Sequence, residues 1–356
     1  MVRTMSYLPH LPRLPYLTSL RSLTGSASRR LRHGRAEPAV GARDDNEVLL
    51  DDPGARLAPA LVAAAVGDHR PAAELLAATR DAAEWEDRDR FTARLAVFTH
   101  SRPEWLADWL RAAPYDPDAL LVKAELAVLK AWDSPARAER LREVGPLIDS
   151  AAAGDPRDPV PWRIALDHAR GVHATHSAFE SLWEQALRRS SRHYGCHVAA
   201  LQYLSAQWYG SHRECFDFAE QAADDAPPGS LVQALPVRAA FAYLLGGGHL
   251  AVARERIEAA ADRAVALSAG HEAGDIRYAE VRNLLVYVLI SQERWADAAE
   301  QFRLIGPEVT SFPWAQLSDD PLGRFLELRA RARLLAAPGG PQRGRPGRAR
   351  PRGHYA

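Results

Sequence analysis

The chain has 356 residues, 25% of them charged and 47% hydrophobic, with 45 basic and 45 acidic side chains and two cysteines. These fractions exclude a low-complexity or fibrous chain, the zero net charge excludes bulk attraction to nucleic acid, and two cysteines are too few for a disulfide framework. The charge is uneven: residues 1–43 carry eight arginines against Glu37 alone, and residues 339–356 carry five arginines and no acid. The tails therefore hold +7 and +5 and the middle −12.

Taken in order, residues 1–50 are rich in Pro, Arg, Ser and Gly and lack amphipathic periodicity, so a disordered basic tail is expected. Prolines at 9, 12 and 15 interrupt its leucines where a secretory signal needs a continuous helical core. With only Cys196 and Cys215 present, a reducing cytoplasm is expected. Lys123 and Lys130 are the only lysines, a bias that suggests a GC-rich bacterial genome.

Helical patterning starts near Arg56 and runs to Ala337, and strand alternation is absent. Asp116-Pro117, Ser134-Pro135 and Asp320-Pro321 read as N-caps followed by proline in the first turn, and Ser101 with Glu104 reads as a capping box. Gly67, Gly154, Gly171, Gly246 and Gly270 fall where left-handed stops are wanted. Between these marks the pattern predicts helices near 56–66, 70–80, 86–99, 103–113, 117–131, 135–152, 160–170, 177–190, 195–209, 212–224, 230–245, 249–268, 274–291, 295–305 and 321–336, with Pro236 kinking the helix from 230 or starting a new one. Residues 51–338 thus form the helical array, and 339–356 a second disordered basic tail.

The stretch Tyr194–Ser211 contains no charged residue and is expected to be the central buried helix. His197, Leu201, Leu204 and Trp208 share one stripe, and Ala199 and Ala206 keep the other face small. His197, Gln202, Ser205 and Gln207 interrupt it, which argues against a membrane span. Ser211 and Glu214 then read as a capping box. Glu280–Pro307, with Leu284, Tyr287, Trp295, Ala298 and Phe302, resembles a tetratricopeptide repeat, and Leu201–Ala222 resembles the same plan. Trp208, Gly210, Ser211, Glu214 and Phe218 resemble the Trp-x-Gly-Ser turn signature of a bacterial family of unknown function built on such an array. The resemblance implies an all-α, right-handed superhelical stack of antiparallel helix pairs, a tetratricopeptide-like solenoid, and supplies no reaction.

No nucleophile elbow, phosphate loop or zinc-protease helix occurs; Gly246-Gly247-Gly248 lacks the following Lys-Ser/Thr, and His271-Glu272 lacks a second histidine. His168, His173 and His176 cluster at one inter-helix turn and read as loop histidines. His193-x-x-Cys196 and His212-x-x-Cys215 lie at opposite ends of a predicted hairpin, too far apart for one zinc site, so no metal and no cofactor is expected. His197, Tyr203 and Gln207 are the candidate groove residues. The expected function is a non-catalytic interaction module for a protein or peptide partner, with nucleic acid or an anionic surface reached only through the arginine tails. The alternative is an enzyme or small-ligand receptor inside the array, which convergent titratable groups in a pocket would favour.

Overall fold

A computed structural model describes residues 48–248 and 251–337. The assignments for residues 1–47, 249–250 and 338–356, including most of both basic tails, lie outside the described residues. The rest is all-α apart from two short strands. In order come β1 (Leu49–Leu50), α1 (Gly54–Ala65), α2 (Arg70–Asp81), α3 (Trp85–Ser101), α4 (Glu104–Ala112), α5 (Pro117–Trp132), α6 (Arg137–Ala152), α7 (Val160–Gly171) and α8 (His176–Arg189). They are followed by α9 (Tyr194–Tyr203), α10 (His212–Asp225), a 3-10 turn at Leu231–Ala234, α11 (Leu235–Leu245), α12 (Arg254–Ala269), α13 (Ile276–Ser291) and α14 (Trp295–Ile305). The described chain ends with β2 (Glu308–Val309), the single turn α15 (Ser311–Trp314) and α16 (Pro321–Ala336).

The caps explain many of these boundaries. Asp116 accepts the amides of Asp118 and Ala119 at 2.9 and 3.0 Å, and Asp320 accepts that of Gly323 at 2.9 Å, each ahead of a first-turn proline. Pro236 falls in the first turn of α11, so the segment from 230 is a 3-10 turn and a new helix. Other expectations need correcting. Ser101 ends α3 instead of capping α4. Among the five expected stops only Gly67 is left-handed. Gly171 is instead a close-packing position, where a Cβ would overlap Leu141 and come within 2.9 Å of the Trp132 ring.

The largest correction concerns the central stretch. Its helix ends at Tyr203, because Tyr209 donates its amide back to the Tyr203 carbonyl at 3.1 Å and Gly210 sits against the Leu204 carbonyl too closely for any Cβ. Residues 204–210 are a tight turn, not two more turns of helix.

Each helix up to α14 packs on the next, and α3, α5, α7, α9, α11 and α13 also touch in succession as an inner row. The core accordingly consists of successive apolar clusters between neighbouring helices, from Leu57, Phe91 and Trp105 at one end to Phe302, Trp314 and Phe325 at the other. Buried polar groups tie the layers together. Arg88 donates to Asp158 at 2.6 Å and to the Leu76 carbonyl at 2.9 Å, and pairs with Asp118 at 2.7 Å. Arg282, fully buried, donates to the carbonyls of Ser268, His271, Glu272 and Leu304 at 2.8–3.1 Å, satisfying backbone acceptors in the last turns of α12 and α14 and in the loop after α12.

The start of the described chain meets the segment after α14. β1 pairs parallel to β2 with Leu49 opposite Glu308 and Leu50 opposite Val309, contrary to the expectation of no strands and of disorder through residue 50. Asp51 secures the junction: its carboxylate accepts the Ser311 amide at 2.9 Å and the Ser311 hydroxyl, and lies 3.4 Å from Arg94. Asn283 of α13 donates to the Glu308 carbonyl at 3.2 Å and accepts the Trp314 indole N–H at 2.7 Å. This clasp closes the helical row around an internal cavity.

Candidate functional site: a charged cavity inside the helical row

The inner helices each expose one stripe to the cavity, at the i, i+3/i+4, i+7 spacing of a single helical face. From α3 come Glu86, Asp87, Asp89, Arg90, Ala93 and Arg94; from α5, Glu125, Val128, Leu129 and Trp132; from α7, Arg163, Asp167 and Arg170. α9 supplies Tyr194, Gly195, Val198, Ala199 and Gln202, α11 supplies Arg238, and α13 supplies Arg277 and Glu280. Asp51, Asp52 and the segment 308–312 complete the wall at the clasp, around a volume of about 280 Å³. Nine carboxylates and six guanidiniums line it, a formal balance of −3.

The arginines are all engaged. Arg163 reaches Asp89 at 2.6 and 2.9 Å and Glu125 at 2.7 Å, and has Asp167 at 3.6 Å. Arg170 pairs with Asp167 at 3.1 Å while its guanidinium lies over the rings of Trp132 and Trp208, 4.5 and 5.0 Å from their centres. Arg238 pairs with Glu280, lies 3.4 Å from the Tyr194 hydroxyl and sits over Phe312. Arg90 takes Asp87 at 2.9 Å, Arg94 takes Asp51, and Arg277 takes Asp275 at 2.8 Å.

The carboxylates are not matched in the same way. Glu86 accepts the Tyr194 amide at 2.7 Å and has no arginine partner among the described residues. Burial pushes its carboxyl above the usual range, against the pull of His193 and the Tyr194 amide. Glu125 is likewise pushed up by burial, only partly offset by Arg163.

Glu86 and Asp89 converge on the N-terminus of α9, where helix amides favour negative charge. His193 caps this helix, its Nδ1 accepting the Cys196 amide at 3.3 Å and lying 3.1 Å from Cys196 Sγ; its Nε2 is 3.6 Å from Asp89. Burial pushes the Cys196 thiol up. The approach of Asp89 depends on Gly195, since a Cβ there would overlap the Asp89 carboxylate and lie 3.0 Å from the His193 ring.

The groove candidates sit elsewhere. His197 is 5% exposed, donates from Nδ1 to the His193 carbonyl at 2.9 Å and meets Trp183 edge-on, with burial pushing its pKa down. Tyr203 is 1% exposed, stacked between Phe179 and Tyr209 with ring centres 3.6 and 4.6 Å away. Gln207 is exposed in the turn after α9. None of the three lines the cavity; α9 faces it with Val198 and Gln202 instead, a rotation of one residue from Tyr203. Trp208 is half-buried and edge-on to Trp132 at 5.6 Å, and Phe218 is half-buried against Trp183. Ser211 accepts the Glu214 amide at 3.2 Å, but Glu214 returns to the Ser211 hydroxyl at 2.8 Å rather than to its amide.

His168, His173 and His176 diverge, bonding to the Leu141 carbonyl, the Tyr209 hydroxyl and Glu180 respectively. Cys215 directs its thiol at the Leu204 carbonyl, 3.2 Å away, and among the described residues no three His, Cys, Asp or Glu side chains gather as metal ligands. No helix among those residues is long and apolar enough to cross a membrane. The cavity residues that sequence reasoning passed over had one signal, Glu125, a carboxylate on the buried side of α5 between Ala124 and Leu126. Compared with known proteins, the chain matches no family model, no curated protein and no solved structure.

Proposed function

We propose that this chain is a tetratricopeptide-like, right-handed superhelical binding module that closes on itself to hold a small polar ligand in its internal cavity. The observation that carries this reading is the convergence of titratable side chains from six helices on one volume of about 280 Å³, near the lower end of the range for small-molecule sites. Convergent groups in a pocket favour a small-ligand receptor over the scaffold expected from the repeat resemblance. Binding, rather than turnover, fits the way the charged groups are held: the arginines are fixed in ion pairs, and the nearest thiol, Cys196, is fully buried.

The test is a thermal-shift and native mass-spectrometry screen of the full chain against a library of polar metabolites. A compound that raises the melting temperature should lose its effect in Ala93→Trp, which places an indole in the cavity without removing a packed side chain. Stabilisation that survives this substitution would locate binding elsewhere.

A further inference from the structure

The sign of the ligand can be argued from the cavity's own pairing. Six arginines in a cavity suggest an anion site at first sight, but each already holds a carboxylate, so an incoming anion would have to break an ion pair. The N-terminus of α9, a backbone feature on the wall suited to an anion, is occupied by Glu86 and Asp89. What lacks compensation is negative. Around α9 the carboxylates of Glu86, Asp89, Glu125 and Asp167 face Arg163, Arg170 and His193, whose pKa burial lowers but Cys196, Glu86 and Asp89 push up further, so one negative charge is left over. His193 Nε2, fully buried, lies 3.6 Å from Asp89, Arg163 takes Glu125 and Arg170 takes Asp167, so Glu86 is the carboxylate left with the Tyr194 amide alone.

We infer that the cavity takes a ligand bearing a primary ammonium or guanidinium group, seated on Glu86 beside Asp89, with the clasp residues Asp51 and Asp52 also lining the wall. An ammonium offers three donors and a guanidinium five, and Glu86 presents a carboxylate whose only donor among the described residues is the Tyr194 amide. In a partly desolvated cavity such a charge-assisted contact is stronger than in water. The inference rests on the receptor reading above and names the ligand class for it.

Isothermal titration of the full chain with agmatine and putrescine, against 1,4-butanediol and succinate as neutral and anionic controls of similar length, tests it. At least one of the two cations should bind, the controls should not, and Glu86→Gln, which keeps an acceptor for the Tyr194 amide, should weaken cation binding tenfold or more. Absence of binding by both cations, cation binding unchanged in Glu86→Gln, or binding of succinate alone would each overturn the inference. Ala93→Trp separates the two levels: binding of any library compound that is lost in Ala93→Trp leaves the receptor standing with a ligand of another sign, whereas no Ala93-sensitive binding removes the receptor as well.

Discussion

Arg88 is the sharpest test of how the array is held together. The residue is 1% exposed and its guanidinium lies between Asp118 and Asp158, each 2% exposed, so α3, α5 and the turn before α7 meet at one buried charge. Arg88→Met preserves most of the volume. Asp118 would keep Arg80 at 2.6 Å, but Asp158 would keep only the Val160 amide at 2.8 Å and become a buried carboxylate without a counter-charge. Breaking a buried pair by removing one partner typically costs about 3–5 kcal/mol, a large part of the ~5–15 kcal/mol that holds a domain. The double variant Arg88→Met/Asp158→Asn removes the stranded charge and keeps the turn acceptor, so it should recover most of the loss. Urea denaturation followed by far-ultraviolet circular dichroism gives the midpoints at constant slope. A single-variant loss below about 0.5 kcal/mol, the scale of surface substitutions, would refute the reasoning, as would a double variant no more stable than the single.

Gly195→Ala should destabilise by about 1–3 kcal/mol, as overpacking does, because its methyl displaces the Asp89 carboxylate; the shift in urea midpoint checks this. Asp51→Ala should cost about 2 kcal/mol by removing the acceptor of the Ser311 amide and hydroxyl, and hydrogen exchange should quicken at Ser311 while the core helices keep their protection. For Glu125 the folded carboxyl titrates above its unfolded value through burial, so the native state binds the proton more tightly and stability falls as pH rises through that window, between the ordinary carboxylate range and the raised folded value. Glu125→Gln should flatten that part of the stability profile, measured as melting temperature against pH; an unchanged slope would contradict it.

Helix existence was legible because the chain advertises starts through Asp116, Asp320 and Pro236, whose local chemistry does not depend on distant partners. The end of α9 was not. Leu204 to Trp208 is as compatible with helix as what precedes it, and the turn is set by the contact of Gly210 with Leu204 and the Tyr209 amide bond. β1 and β2 are two residues each, too short for any alternation to register, and their pairing joins segments more than 250 residues apart. The cavity was half legible. Its residue types stand in the sequence, but Arg163 meets Asp89 from 74 residues away, and no local pattern reports such a pairing. Reading α9 from its apolar stripe selected the helix that does border the site, and directed attention to Tyr203 where Gln202 faces the cavity.

The clasp also orders events in time. Joining residues 51 and 311 in a disordered chain means closing a loop of 260 residues, an entropic cost of about 5 kcal/mol by the logarithmic law. The few hydrogen bonds made there return about 1 kcal/mol each, which roughly cancels that cost. The junction therefore gains nothing until the intervening helices have stacked and brought its halves together, so it forms last. By the same balance it is the seam that opens first under strain, before any helix of the row is lost. A fold assembled in that order keeps its lowest stability at the seam, where amide exchange at Ser311 should outpace exchange in the inner helices.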